Sequence, residues 1–226
     1  MIHYLTFDIG SVASITDKEA IVAKGREHWP DFTYSDFKRM MIPQGKEIEK
    51  DYWRLIQDGL IGAEEYLSAS MHAGKLPDIQ ENRDLFRKVL RTFGGNWYQP
   101  ILHLAEDLKR NGYHTSILSN NNELLYVEDG LVAIVGVSIS SHHIHVSKPR
   151  RKAYQILLER IGADDPATVL FTDDKEKNVQ GAEEEGIQGY RFRSRELPMD
   201  DAFREFVEHL QMLEVKVKEG EEYLKP

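Results

Sequence analysis

The sequence predicts an α/β protein: a doubly wound, Rossmann-like parallel sheet with an all-helical segment inserted after its first strand. Three observations carry this. Short β-branched and aromatic runs stand at residues 4–7, 115–119, 133–139 and 168–172. From residue 96 onward such runs alternate with segments of helical period, the pattern of βαβ units. About 110 residues separate Asp8, at the end of the first run, from Ser119, several times the dozen or so that a crossover needs.

Tyr4, Leu5, Thr6 and Phe7 are β-formers and too few for a helix, so they read as the first strand. Asp8 closes it, and Gly10 lets the chain turn sharply. Thr16-Asp-Lys-Glu19 reads as a capping box that opens an amphipathic helix through Ala20, Ile21 and Ala23 towards Trp29, stopped by Pro30. Thr33 caps a short helix through Phe37 and Met40. Pro43 starts another, with Ile48, Tyr52, Trp53, Leu55 and Ile56, ending at Gly59. A helix from Ala63 to Ala73 shows Tyr66, Leu67 and Met71 before Gly74. Asn82 caps one bearing Leu85, Phe86, Val89 and Leu90, closed by Gly94-Gly95. Residues 15–95 are therefore expected to form a helical cap domain over the carboxyl edge of the sheet, with 1–14 and 96–226 as the α/β core domain.

In that core, Asn96 caps a helix with Ile101, Leu102, Ala105 and Leu108, ending at Asn111-Gly112. Thr115–Ser119 is the next strand, followed by polar Asn120-Asn-Asn122. Ala133–Ile139 reads as a continuous buried strand. Pro149 stands at a first helical position, ahead of Ala153, Ile156, Leu157 and Ile161, and Gly162 ends that helix. Thr168–Thr172 is a strand leading into Asp173-Asp174. A helix from about Lys175 to Glu185 and a strand from Gly189 to Phe192 follow, and Phe203, Phe206, Val207 and Leu210 mark a last helix.

Bulk properties narrow the function. With 41% hydrophobic and 30% charged residues, the 226-residue chain suits a soluble globule with a proper core. A net charge of −9 disfavours a nucleic-acid backbone as partner, yet a bound cation can invert the local field in favour of a phosphorylated substrate. There is no cysteine, so thiolate chemistry and disulfides are excluded. No basic stretch followed by an apolar run opens the chain, and no apolar segment reaches the roughly 18 residues of a membrane span. The expectation is a cytoplasmic protein without a membrane partner; oligomeric state stays open.

Four segments fall at the carboxyl ends of strands, where open α/β sheets bind ligands: Asp8, Ser119-Asn120, Lys148-Pro149 and Asp173-Asp174. Singly, Asp8 reads equally as a chemical group or a turn residue, Ser119 as a turn residue and Lys148 as a surface lysine. Adjacent carboxylates after an apolar strand are harder to dismiss, because they repel unless a cation or helix N-terminus lies near. Together the four make chemical sense. Asp8 and one of the paired aspartates supply the hard oxygens that Mg2+ takes alongside waters and a phosphate. Ser119 and neighbouring N–H groups can hold phosphate oxygens, with Lys148 as a fixed positive charge. Asp8 can then attack phosphorus, giving an aspartyl-phosphate that water cleaves.

The set Phe7-Asp-Ile-Gly-Ser-Val12, Ile117-Leu-Ser-Asn120, Lys148-Pro149 and Leu170-Phe-Thr-Asp-Asp-Lys-Glu-Lys-Asn178 resembles the four motifs of the haloacid dehalogenase superfamily. Within it the chain looks most like small capped sugar-phosphate phosphatases, resembling glucose-1-phosphate phosphatase-like proteins and the phosphatase half of soluble epoxide hydrolase. The resemblance implies that Asp8 is the nucleophile, Ser119 and Asn120 bind phosphate and Lys148 stabilises charge. It makes Asp173 a magnesium ligand, with Asp174 supporting the metal site and Asn178 bracing the last loop. One departure stands out: most phosphatases of the family carry a second Asp two residues after the nucleophile, and here that position is Gly10. Its carbonyl can still bind a metal, but it can neither protonate a leaving group nor activate water. The expected function is a Mg2+-dependent phosphatase of a small phosphorylated metabolite. The alternatives are a binding protein that has lost its chemistry and a metal-free dehalogenase-like hydrolase, against which Asp173-Asp174 argues.

Two further clusters have simpler readings. His142, His143 and His145 offer nitrogen ligands, but no carboxylate pattern accompanies them, and a polar strand end or loop suffices. Tyr52, Trp53 and Arg54 could face a substrate, although Trp53 at helical spacing with Leu55 and Ile56 fits the helical core.

Overall fold

The computed structural model describes residues 1–44, 50–94, 96–125 and 129–225. Among them, five parallel strands form one sheet: β1 (Tyr4–Phe7), β2 (His114–Ser119), β3 (Val137–Ser140), β4 (Val169–Asp173) and β5 (Gln188–Arg191), in the order β3-β2-β1-β4-β5. Between β1 and β2 run α1 (Lys18–Arg26), α2 (Tyr34–Met41), α3 (Tyr52–Gln57), α4 (Ala63–Gly74) and α5 (Gln80–Gly94). The later helices are α6 (Gln99–Arg110), the single turns α7 (Leu131–Ile134) and α8 (Ser141–Ile144), α9 (Arg151–Ile161), α10 (Glu176–Glu183), α11 (Met199–Met212) and the short α12 (Gly220–Tyr223).

Side-chain alternation on the strands builds a core on each face. Leu5, Phe7, Ile117 and Leu170 pack with Ile101, Leu104 and Leu108 of α6 and Phe203 and Phe206 of α11. Leu118, Val169 and Phe171 face the other way, against Tyr154 and Leu157 of α9 and Ala182 of α10. Helices on both faces make the sheet doubly wound. A third cluster belongs to α1–α5: Ile21, Phe37, Met40, Ile56, Tyr66, Leu67, Met71, Phe86, Val89 and Leu90, joined by Leu125 from the loop after β2.

Register places the site. Phe7 is level with Ile117 on one side and Thr172 on the other, so Asp8, Leu118 and Asp173 are reached by the next step along three neighbouring strands.

Several expectations are corrected. Asp17, not Thr16, caps α1, accepting from Ala20 N at 2.9 Å. The helix expected from Pro43 is described only from Tyr52, where Asp51 accepts from Arg54 N at 3.0 Å; Ile48 lies outside the described residues. Asn82 is inside α5 rather than at its cap, and its Nδ2 donates to the Pro77 carbonyl at 2.8 Å. Asn96 precedes α6, whose N-cap is Tyr98, and gives its carbonyl to Ile15 N at 2.8 Å. The apolar run 133–139 divides into the end of α7 and most of β3, an edge strand; continuous apolar character cannot separate a buried helical turn from a strand. Pro149 precedes α9 by two residues, and the Lys148-Pro149 peptide is cis. In contrast, Thr33 and Asp36 form the full capping box of α2.

Candidate active site

The Asp8 N–H donates to the Thr172 carbonyl at 2.8 Å, extending the sheet one step past β1 and setting the carboxylate at its edge. Lys148 comes from the segment between α8 and α9 and ends in the middle of the cluster. Its Nζ donates to Asp8 Oδ1 at 2.9 Å, Asp173 Oδ2 at 2.6 Å and the Leu118 carbonyl at 2.6 Å. Three acceptors match the three ammonium protons, and the Phe171 ring lies 5.0 Å away. The surface lysine of the bland reading is thus fully buried. Burial alone pulls its pKa down, but Asp173 and Asp8 outweigh that and raise it, so the ammonium stays charged.

The carboxylates differ from one another. Asp173 is saturated: Oδ1 accepts from Lys175 N at 2.9 Å, Oδ2 from Lys148, and Asn178 Nδ2 lies 2.9 Å from both oxygens. Burial opposes its ionisation, yet Lys148 and these donors hold its pKa below the ordinary value. Asp8 is shifted the other way, because burial outweighs the attraction of Lys148. Asp174 is also raised by burial, against Lys175 and Arg195. Asp174 Oδ2 accepts from Arg195 Nε, while Oδ1 is buried with no hydrogen-bond partner. A buried orphan oxygen is costly unless something occupies it. Oxygens of Asp8, Asp173 and Asp174 lie within 4.8 Å of one another, the group of ligating side chains that could hold a metal ion among the described residues. Hard, anionic donors with one acceptor unspent fit a divalent cation of the Mg2+ type.

Ser119 is buried at the end of β2, and among the described residues its hydroxyl makes no hydrogen bond. Asn120 is arranged differently. Its Nδ2 donates to the Lys148 carbonyl at 2.9 Å and its Oδ1 accepts from Lys148 N at 2.8 Å, so the side chain locks the lysine's loop in place. Gly10 is exposed, and a Cβ built there would meet only Asp8 Oδ2, at 4.0 Å. The turn around it closes on the Ile9 carbonyl, which accepts from Ala13 N and Ser14 N at 2.9 Å each.

The end of α3 reaches this edge, a contact the sequence did not signal. Gln57 Nε2 donates to the Asn120 carbonyl at 3.1 Å, and Ser141 Oγ to the Gln57 carbonyl at 2.5 Å. Asp58 is buried, paired with Arg150, and its carbonyl meets His145 Nδ1 at 3.1 Å. Gly59 has φ +61° and a Cβ there would stand 2.4 Å from the His142 carbonyl, so only glycine allows this approach. A helix ending in Asp-Gly reads as a stop signal, which hides its role at a junction. Trp53 is half-buried with its ring 6.1 Å from that of Tyr66, so it belongs to the helical core, while Arg54 leans on Asp58 at 3.8 Å. His142 and His143 lie on α8 rather than at a strand end or loop. Ser140 Oγ sits 2.6 Å from His142 Nδ1, and burial together with His143 pulls that imidazole down to about 4.

The sheet, the insertion after β1 and the acid–lysine cluster at the carboxyl edge define a class: a Rossmann-like α/β protein with its site at the strand ends. A profile of the haloacid dehalogenase-like hydrolases matches residues 12–186, most of the chain, and the protein belongs to that family. The chain is similar to Phosphatase MT3486 of Mycobacterium tuberculosis (strain CDC 1551 / Oshkosh), 32% identical over 90 residues, which is 38% of this chain and 41% of that protein. It thus spans less than half of that relative's length. Among solved structures, a haloacid dehalogenase family enzyme of Bacteroides thetaiotaomicron, in complex with magnesium and inorganic phosphate, superposes with a TM-score of 0.67 at 20% identity, covering 88% of this chain and 98% of that one. A hydrolase of the same family from Porphyromonas gingivalis gives 0.69 at 18% identity over 96% and 100% of the two chains. The L-2-haloacid dehalogenase of Xanthobacter autotrophicus, with chloropropionic acid covalently bound, gives 0.64 at 19% over 96% and 85%. At such identities the likeness establishes the fold. No described helix is long and apolar enough to cross a membrane.

Proposed function

We propose that the protein is a Mg2+-dependent phosphatase of a small phosphorylated metabolite, sugar phosphates being one such class, acting through an aspartyl-phosphate on Asp8. The observation that carries this reading is the unpartnered, buried Oδ1 of Asp174 in a cluster with Asp8 and Asp173 beside a buried ammonium. A reaction without a cation gains nothing from that orphan oxygen. Magnesium and phosphate in the Bacteroides relative, and the name of the mycobacterial one, support it.

The hydrogen bonds favour exchanging the roles expected for the two adjacent aspartates. Asp173, with every strong acceptor direction in use, braces Lys148 and the start of α10, while Asp174 Oδ1, Asp8 and the Gly10 carbonyl would hold the ion. When bound, the cation screens phosphoryl oxygens from the anionic nucleophile and orients them. The Asp8 carboxylate attacks phosphorus and the bond to the leaving oxygen breaks. Lys148 stays protonated and, with the Ser119 hydroxyl and main-chain N–H groups, offsets charge on the phosphoryl oxygens. Water then attacks phosphorus, the Asp8–phosphorus bond breaks, and inorganic phosphate and the carboxylate are restored. Gly10 supplies no proton, so the leaving oxygen takes one from solvent or from the substrate itself, at the cost of the roughly 10²–10⁴-fold that a positioned acid contributes. The helical segment, residues 15–95, acts as the cap, with α3 over the phosphate loop.

The test is phosphate release from an aryl phosphate and a panel of phosphorylated metabolites, with Mg2+ and with a chelator. Turnover that requires Mg2+ is the expected result. Release that is indifferent to the metal would defeat the reading. Gly10 favours one other reading, a protein that retains metal and phosphate but does not turn over, and binding without release would establish it.

A further inference from the structure

Arg195 was not singled out by any motif, yet it is the cation that touches Asp174. Its Nε bonds Asp174 Oδ2. The arginine side chain is 55% exposed and the aspartate's 1%, so the guanidinium covers the solvent side of the acid. Among the described residues its two Nη groups bond no protein acceptor. The turn that carries it is fixed on three sides. Glu196 N and Leu197 N close it on the Arg193 carbonyl at 2.9 and 3.0 Å. Arg193 Nε pairs with Glu205 of α11 at 3.0 Å, and Glu196 pairs with Arg191 at the end of β5. The Ser194 hydroxyl donates to the carbonyl of Ser11, next to Gly10. The turn that carries Arg195 is therefore tied through Ser194 to the segment that follows Gly10.

We propose that Arg195 is a positioning residue that sets the balance between cation and phosphate at the site. It grips Asp174 by Oδ2 so that Oδ1 alone faces the cluster, lowers the cluster's affinity for Mg2+, and raises its affinity for the phosphate that follows. This rests on the metal-dependent reading above. The physical argument is charge. Asp8 and Asp173 face Lys148 inside, while Asp174 beside them has Lys175 and Arg195 as its cationic neighbours. A fixed positive charge bonded to a ligand carboxylate repels a divalent ion and attracts a phosphate dianion. Partial exposure keeps the effect moderate.

Titration calorimetry with Mg2+ alone, then with inorganic phosphate at saturating Mg2+, on the parent, Arg195→Gln and Arg195→Lys proteins tests this. Arg195→Gln is expected to bind Mg2+ about 3- to 10-fold more tightly and phosphate about 10-fold more weakly. Arg195→Lys, which keeps the charge, is expected to hold the parent's Mg2+ affinity. Weaker or unchanged Mg2+ binding in Arg195→Gln, or a lysine variant that behaves like the glutamine one, overturns the proposal. Both positions of failure are separable: a parent that takes up no Mg2+ defeats the metal-dependent reading as well, while a parent that binds it with no change in the glutamine variant defeats only the role of Arg195.

Discussion

Within α1–α5 the buried side chains are almost all carbon, with Asp58 and Ser70 the polar ones buried among the described residues of that segment. At the carboxyl edge of the sheet the buried set instead includes Asp8, Ser119, Lys148, Asp173, Asp174 and Asn178. The first region gains from nearly every contact it makes, at about 25 cal/mol for each Å² of apolar surface removed from water. The second holds charges where desolvation is costly and a good ion pair does no more than offset it. The lesson is a division of labour: one part is packed for stability, and the other holds charged groups in a state that packing alone would not select.

That contrast can be broken in measurable ways. Asp8→Asn removes the proposed nucleophile and is expected to lower phosphate release by at least about 10³-fold with the circular dichroism spectrum kept. Turnover near the parent's would mean that Asp8 has been given the wrong role. Phe86→Ala opens a cavity in the helical cluster against Phe37. It is expected to cost about 3–5 kcal/mol in urea unfolding while Mg2+ affinity is unchanged; a matching loss of metal binding would show the two regions to be one unit. Gly10→Asp has room for its Cβ, 4.0 Å from Asp8 Oδ2. With a poor alkyl leaving group it is expected to raise turnover by about 10- to 100-fold, and no gain would show that the missing acid does not limit the rate.

The smallest effect is in pH. Asp78, at the foot of α5, is held down to about 2 by its bonds to Arg83 and Ser68. Its folded value lies below the ordinary 3.8, so its contribution is present above about pH 4 and lost as pH falls towards 2. In the metal-free protein Asp8 and Asp174 act with the opposite sign. Burial raises them, so the folded state takes up their protons first and gains stability as pH falls through the raised values towards 3.8. Unfolding midpoints in chelator across pH 2–7 should therefore flatten at the acid end in Asp78→Asn and lose the opposing rise in Asp8→Asn. A parent-like profile in both variants would remove this distinction.

Much of this was legible in the chain. Runs of β-formers and stretches of helical period locate the described strands and long helices, although the run 133–139 divides between α7 and β3. Asp8, Ser119, Lys148 and Asp173 are legible as a set, because turn and surface readings account for most of them singly but not for their convergence on one edge of the sheet. What escapes are meetings between elements: Gln57 with Asn120, Asp58 with Arg150, Arg195 with Asp174. No periodicity encodes which helix end meets which loop. The adjacent pair Asp173-Asp174 shows the same limit, since only the surrounding donors distinguish the acid that is saturated from the one left open.

Leu125 gives the fold a mechanical property. It leaves the sheet five residues after Asn120 and buries itself with Phe86 and Tyr66 in the helical cluster. The strand-end loop is thus rooted at one end in β2 and at the other in the layer above it. If the helices of that cluster shift as a layer, Leu125 is the side chain that carries the displacement into the loop after β2.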